Sequence, residues 1–175
     1  GLPVPPQLRR GTGPWAARPL DDRTVLVGGP EGALHSTLAG VLSAAGATVG
    51  AVGINEAPYD DAAEAWSRPG PHPEEIASDA LVFDATGLSG ATGLRTLYDF
   101  FHPRIRGVRR CGRVVVLGRR EADATEDGEA VVAAALDGFT RSLAKELARF
   151  GIRANAVSLA LVRTDNFDSH AGTGG

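Results

Sequence analysis

Five short apolar runs, near 24–28, 47–52, 80–85, 113–118 and 152–158, are separated by stretches whose apolar residues recur every three or four positions. A run that is apolar on both parities suits a strand covered on both faces, and a helix between successive strands brings the next one in parallel to the last. The chain therefore reads as an α/β sandwich of three layers with a five-stranded parallel sheet. Helices are expected near 31–45, 91–102 and 127–150, with Gly46 as the turn at the end of the first. The segment that limits topology is 53–79, broken by Pro58, Pro69, Pro71 and Pro73, with room for one short helix from Tyr59 to Trp66.

At 175 residues, 43% hydrophobic and 22% charged, the chain suits one folded domain and not a disordered one. A net charge of -3 speaks against general attraction to nucleic acid or anionic membrane. One cysteine, Cys111, excludes an intrachain disulfide and a cysteine-rich zinc site, and a reducing cytoplasm is the natural location. No apolar run approaches the roughly 20 residues of a membrane helix. The chain starts at Gly1 and has no Met, so it reads as part of a longer protein.

Residues 1–20 carry Pro3, Pro5, Pro6, Pro14 and Pro19 beside Arg9, Arg10 and Arg18, the composition of a linker or a wrapping arm. The folded domain is expected over 21–165, and 166–175 as a flexible tail. Val132, Ala135, Leu136, Phe139, Leu143, Leu147 and Phe150 form the stripe with which the last helix faces the sheet. Its opposite face offers Ala134, Gly138, Ser142 and Ala148, small enough for another helix to approach. Leu94, Leu97, Tyr98 and Phe101 make a similar stripe on the preceding helix. Arg104, Arg106, Arg109, Arg110, Arg113, Arg119 and Arg120 crowd around the fourth strand, as a solvated surface or as a docking patch for an acidic carrier. His35, His72, His102 and His170 lack metal-ligand spacing.

The stretch Leu136 to Val157, LDGFTRSLAKELARFGIRANAV, resembles the helix and strand that follow the active site of short-chain dehydrogenase/reductases. The resemblance implies a Tyr-x-x-x-Lys pair one turn earlier and a catalytic Ser after the fourth strand. Those positions hold Glu129, Ala133 and Arg119. A carboxylate does not donate a proton as a phenol does, alanine has neither charge nor hydrogen bond, and arginine is no isostere of a hydroxyl. The Pro-Gly expected after the last strand is replaced by Leu159-Ala160. The family's glycine loop, Gly-x-x-x-Gly-x-Gly, lines up with Gly28, Gly29, Gly32, Ala33 and His35, so two glycines are lost; Gly29 and Gly32 read as turn glycines. Asp84-Ala85-Thr86-Gly87 stands where the family has Asn-Asn-Ala-Gly, keeping only Gly87.

A full member of that family places helix, strand and helix where this chain has 53–79. Removing that strand from the order 3-2-1-4-5-6 leaves the flavodoxin-like order 2-1-3-4-5. The joint order of these segments, with the opening Leu2-Pro3-Val4-Pro5-Pro6, resembles the N-terminal domain of actinobacterial high-molecular-weight 3-oxoacyl-(acyl-carrier-protein) reductases. The resemblance implies a degenerate, non-catalytic domain in fatty acid biosynthesis, with NAD(P)H used by a downstream reductase domain and no cofactor held here. It also implies dimerisation through the helices near 91–102 and 127–150. Two alternatives are a ligand- or acyl-carrier-protein-binding module and an oxidoreductase with an atypical site.

Overall fold

The structure is a computed structural model that describes residues 13–14, 16–30, 34–54, 57–65 and 77–160. Most of the arm, all of the tail, Gly32, Ala33, Trp66, His72 and His170 lie outside the described residues. Five strands, β1 (Thr24–Gly28), β2 (Thr48–Val52), β3 (Ala80–Asp84), β4 (Arg113–Arg119) and β5 (Arg153–Leu159), form one sheet in the order β2-β1-β3-β4-β5. Every neighbouring pair is parallel, which is the 2-1-3-4-5 arrangement that the sequence suggests.

Helices α1 (His35–Ala44) and α2 (Ala57–Ala65) cover one face; α3 (Gly90–Arg104) and α4 (Asp127–Leu147) cover the other. The register explains the division. Leu26, Leu81 and Val114 are partners across three strands, so they point to one side, where they meet Leu97, Phe101 and Leu136. Val25, Val27 and Val82 point to the other, against Ala39 and Tyr59. Phe83 is the centre of the larger core, with ring centroids 5.2 Å from Phe100 and 5.8 Å from Phe101; Phe101 in turn lies 5.2 Å from Phe139 of α4.

Local chemistry sets the helix ends. Pro58 sits in the first turn of α2, where its missing N–H costs no hydrogen bond; the helix thus starts at Ala57, two residues before the sequence reading placed it. Pro103 falls in the last turn of α3, and the Arg104 guanidinium donates instead to the carbonyls of Asp99 and Phe100, at 3.4 and 3.0 Å. After α4 and a short 3-10 turn, Gly151 takes φ 72, the left-handed cap that closes the helix.

Two expectations change. On α4 the buried side chains are Val132, Leu136, Thr140 and Leu147, while Phe139 and Leu143 are only partly buried and Phe150 is 37% exposed. The helix is turned slightly from the purely apolar stripe, and a threonine occupies its centre line. Coverage on both faces also fails at β5, whose residues are mostly exposed. It lies at the sheet edge, packed by α4 on one side, and no helix among the described residues lies over the opposite side.

Candidate functional site

The fold's ligand crevice lies at the carboxyl ends of the strands, and the residues singled out from the sequence converge there in two groups. The first joins the end of β4 to the start of α4. Arg119 is the last residue of β4, and its guanidinium donates to a Glu129 carboxylate oxygen at 2.9 Å. The other Glu129 oxygen accepts the Thr125 N–H at 2.8 Å and the Thr125 hydroxyl at 3.0 Å. Glu129 is thus tied down by a strand and by the backbone just before its own helix, in a variant of a capping box. The Thr125 backbone and hydroxyl bonds outweigh desolvation and, with a lesser contribution from Arg119, hold its carboxyl below the usual range. Near neutrality it is an acceptor with no proton to give.

One turn further on, Ala133 borders a cavity of about 370 Å³ together with Gly118, Leu136, Ala156 and Ser158. A methyl at 133 leaves this space open beside β5. The starts of the two long helices meet close by, because Gly128 has no side chain: a Cβ there would lie 2.5 Å from the Ser89 hydroxyl.

The second group surrounds the exit of β1. A side chain at Gly28 would run into the Phe100 ring. Gly29 has φ 143, and its bare Cα lets the chain cross the Asp84 carbonyl of β3, with which any Cβ would collide. Both glycines are therefore required by packing within the sheet. His35, the first residue of α1, is buried, with Nε2 2.8 Å from the Pro30 carbonyl and Nδ1 2.7 Å from the Tyr59 hydroxyl of α2. A carbonyl only accepts, so Nε2 donates to Pro30, and Nδ1 shares a hydrogen bond with the phenol. Burial, and secondarily the Asp84 carboxylate, pushes the Tyr59 hydroxyl well above its ordinary pKa, so it remains a donor. Asp84 Oδ1 accepts from the Thr86 N–H at 3.0 Å and its hydroxyl at 2.6 Å, while Oδ2 is buried with no hydrogen-bond partner among the described residues. Gly87 is exposed in the turn beyond. Gly29, Val52, Phe100 and Arg104 border an open crevice of about 570 Å³ on the α3 side.

The arginines separate when the chain folds. Arg109 and Arg23 grip Asp79 at the amino ends of β1 and β3, with N–O distances of 2.6 and 3.0 Å. Arg113 donates to the carbonyls of Cys111 and Gly112, and Arg120 pairs with Asp123 at 2.7 Å. Arg106 and Arg110 are exposed. Neither the Arg119–Glu129 pair nor the His35–Tyr59 bond was read from the sequence. The available signal for the first was opposite charge at two positions that the family likeness sets side by side. No such signal marks the second, a contact across 24 residues. Among the described residues no group of three or more His, Cys, Asp or Glu side chains is arranged to hold a metal ion, and no helix is long and apolar enough to cross a membrane.

No curated protein matches the sequence significantly. The family model described as enoyl-(acyl carrier protein) reductase matches residues 91–174, from α3 through β5 and beyond the described residues. Solved structures give a broader likeness. A dehydrogenase/reductase from Sinorhizobium meliloti is 18% identical with a TM-score of 0.63, over 81% of this chain and 73% of that one. A short-chain dehydrogenase/reductase from Serratia marcescens is 19% identical with a TM-score of 0.59, over 80% and 74%. BdcA in complex with NADPH is 20% identical with a TM-score of 0.58, over 79% and 70%. Over most of its length, then, the chain has the fold of a short-chain dehydrogenase/reductase, and from α3 onward its sequence matches the enoyl-(acyl carrier protein) reductase model.

Proposed function

We propose that this chain is a non-catalytic domain of short-chain dehydrogenase/reductase type. It packs against a reductase domain or a second copy, and NAD(P)H-dependent reduction of 3-oxoacyl thioesters in fatty acid biosynthesis is carried by a downstream domain. The supporting observation is the Arg119–Glu129 clamp with Ala133 beside it. Where an acid and a ribose-binding ammonium would be needed, the chain places an ion pair and a methyl group. The structural role draws on the outer faces of α3 and α4. Ala134, Gly138, Ser142 and Ala148 are exposed there, as are Tyr98 at 52% and Val131 at 54%.

Carbon-13 titration of the Glu129 carboxyl tests the catalytic part of this reading. Titration below the ordinary glutamate value of about 4.3, with the group ionised throughout the neutral range, is the expected result. A midpoint near neutrality, as a working proton donor requires, would overturn it. A second reading, a module that binds a small ligand or an acyl carrier protein, is favoured by the open crevice of about 570 Å³ at the strand ends.

A further inference from the structure

Arg23, Arg95, Arg109, Arg119, Arg120 and Arg141 each pair with a carboxylate. Arg110, Arg113, Arg149 and Arg153 are exposed and form no ion pair among the described residues, and the backbone gathers them at one corner of the sheet, the amino ends of β4 and β5. Arg113 and Arg153 are register partners on the two strands, so they project to the same side. The Cys111 N–H donates to the Phe150 carbonyl at 3.0 Å and the Arg153 N–H to the Gly112 carbonyl at 3.2 Å, which sets the turn that carries Arg110 beside the segment that carries Arg149. That turn is closed by the Gly112 N–H on the Arg109 carbonyl at 2.9 Å, with Cys111 at φ 63, and it leaves Arg110 exposed at its tip. Arg113 donates only to the Cys111 and Gly112 carbonyls, and Arg149 lies over the Phe150 ring. The nearby acids do not neutralise the group: Asp79 is taken by Arg23 and Arg109, and Glu146, in the last turn of α4, pairs with none of the four. Like charges side by side on neighbouring strands oppose folding, and here no internal counter-ion offsets them.

We propose that this corner docks an acidic protein partner, one that presents a helix with carboxylates along one face. Neighbouring strands set the backbones of Arg113 and Arg153 about 4.8 Å apart, close to the roughly 5–6 Å between residues one turn apart on a helix. A guanidinium takes a carboxylate through two parallel N–H bonds, so two arginines at that spacing match two acidic residues on successive turns. Hydrogen bonds from both flanking segments fix the corner's backbone, and docking therefore orders side chains alone. The net charge of -3 argues against nucleic acid: a long polyanion meets repulsion from the rest of the surface, whereas a compact acidic face meets only the corner. The corner lies at the end of the sheet opposite the crevice. It goes beyond the non-catalytic reading and stands whether or not the crevice binds anything.

The experiment is fluorescence-anisotropy titration of the full chain with a labelled helical peptide carrying glutamate at every fourth position, beside its glutamine counterpart and a single-stranded DNA of equal charge. Saturable binding of the glutamate peptide alone is expected at low salt, and its loss at about 0.5 M salt, where exposed charges are screened. Arg113→Glu with Arg153→Glu should weaken that binding by about tenfold or more, as reversing paired charges at an interface does. Arg95→Glu with Arg120→Glu makes the same change of charge away from the corner and should alter binding by less than about twofold. Should the strand variants fail to fold, Arg110→Gln with Arg149→Gln, both outside the strands, must weaken binding in the same direction. No binding of the glutamate peptide, an equal loss from the two charge-reversed pairs, or tighter binding of the DNA would overturn the proposal. So would salt-sensitive self-association of the wild type in sedimentation, with Glu121, Asp123, Glu126 and Asp127 of one copy as the acidic surface, since the partner would then be a second copy.

Discussion

At Asp79, three elements are tied together through one carboxylate. Its oxygens accept the Thr24 N–H at 2.9 Å and pair with Arg23 and Arg109, so the start of β1 and the turn before β4 are held beside the start of β3. Burial alone would raise this carboxyl, but the Thr24 and arginine bonds outweigh it and hold the value below the ordinary one. The arginines are about half exposed, so water screens them, and the backbone bond is the larger contribution. A depressed carboxylate stabilises the fold above the unfolded value of about 4 and loses that contribution as pH falls through the lower folded value. Asp79→Asn should cost about 2 kcal/mol near neutrality. Denaturant unfolding at pH 7 and at pH 3 checks it: the gap between wild type and variant should shrink in acid, and a constant gap would mean that the charge is irrelevant. This role was not legible in the sequence, because Asp79 sits at the end of a proline-rich stretch and its partners are far along the chain.

The elements themselves were largely legible, since parallel strands buried on both faces write themselves as apolar runs and the helices between them keep a period near 3.6. The reading slipped where polar and apolar roles mix. Thr140 is buried in the α4 face although its hydroxyl has no hydrogen-bond partner among the described residues, and Phe139 beside it is only partly covered. The strand β5 looks like an interior strand in composition, yet it is an edge, a fact set by topology and not by its own residues. The outer faces of α3 and α4 carry the prediction at this scale. Tyr98 stacks on His102 with centroids 4.7 Å apart and Arg95 lies over its ring, while Tyr98 itself stays 52% exposed. If this face joins two copies, Tyr98→Arg together with Val131→Arg should shift sedimentation from dimer to monomer and leave the melting of the monomer nearly unchanged, as surface substitutions usually do. A wild-type monomer at high concentration would remove the homodimer from the account.

For the whole molecule, resemblance and structure contribute different things. The short-chain dehydrogenase/reductase likeness picked out the positions that matter, Arg119, Glu129, Ala133, Gly29 and His35, and noted what they lack. Only the folded chain shows what they do instead: two are paired with each other, one opens a cavity, one clears a carbonyl, and one is bonded into the core. Glu129 and Arg119 satisfy each other and His35 is bonded into the core, whereas Ala133 leaves a cavity open. Sequence reading cannot supply such pairings, which depend on side chains brought together across strand and helix. The most direct measurement of the central claim is nicotinamide oxidation by the purified chain with a 3-oxoacyl thioester, both in large excess and at high protein concentration. The account predicts a rate equal to that of the blank; a rate that rises in proportion to protein and disappears with Glu129→Gln would contradict it.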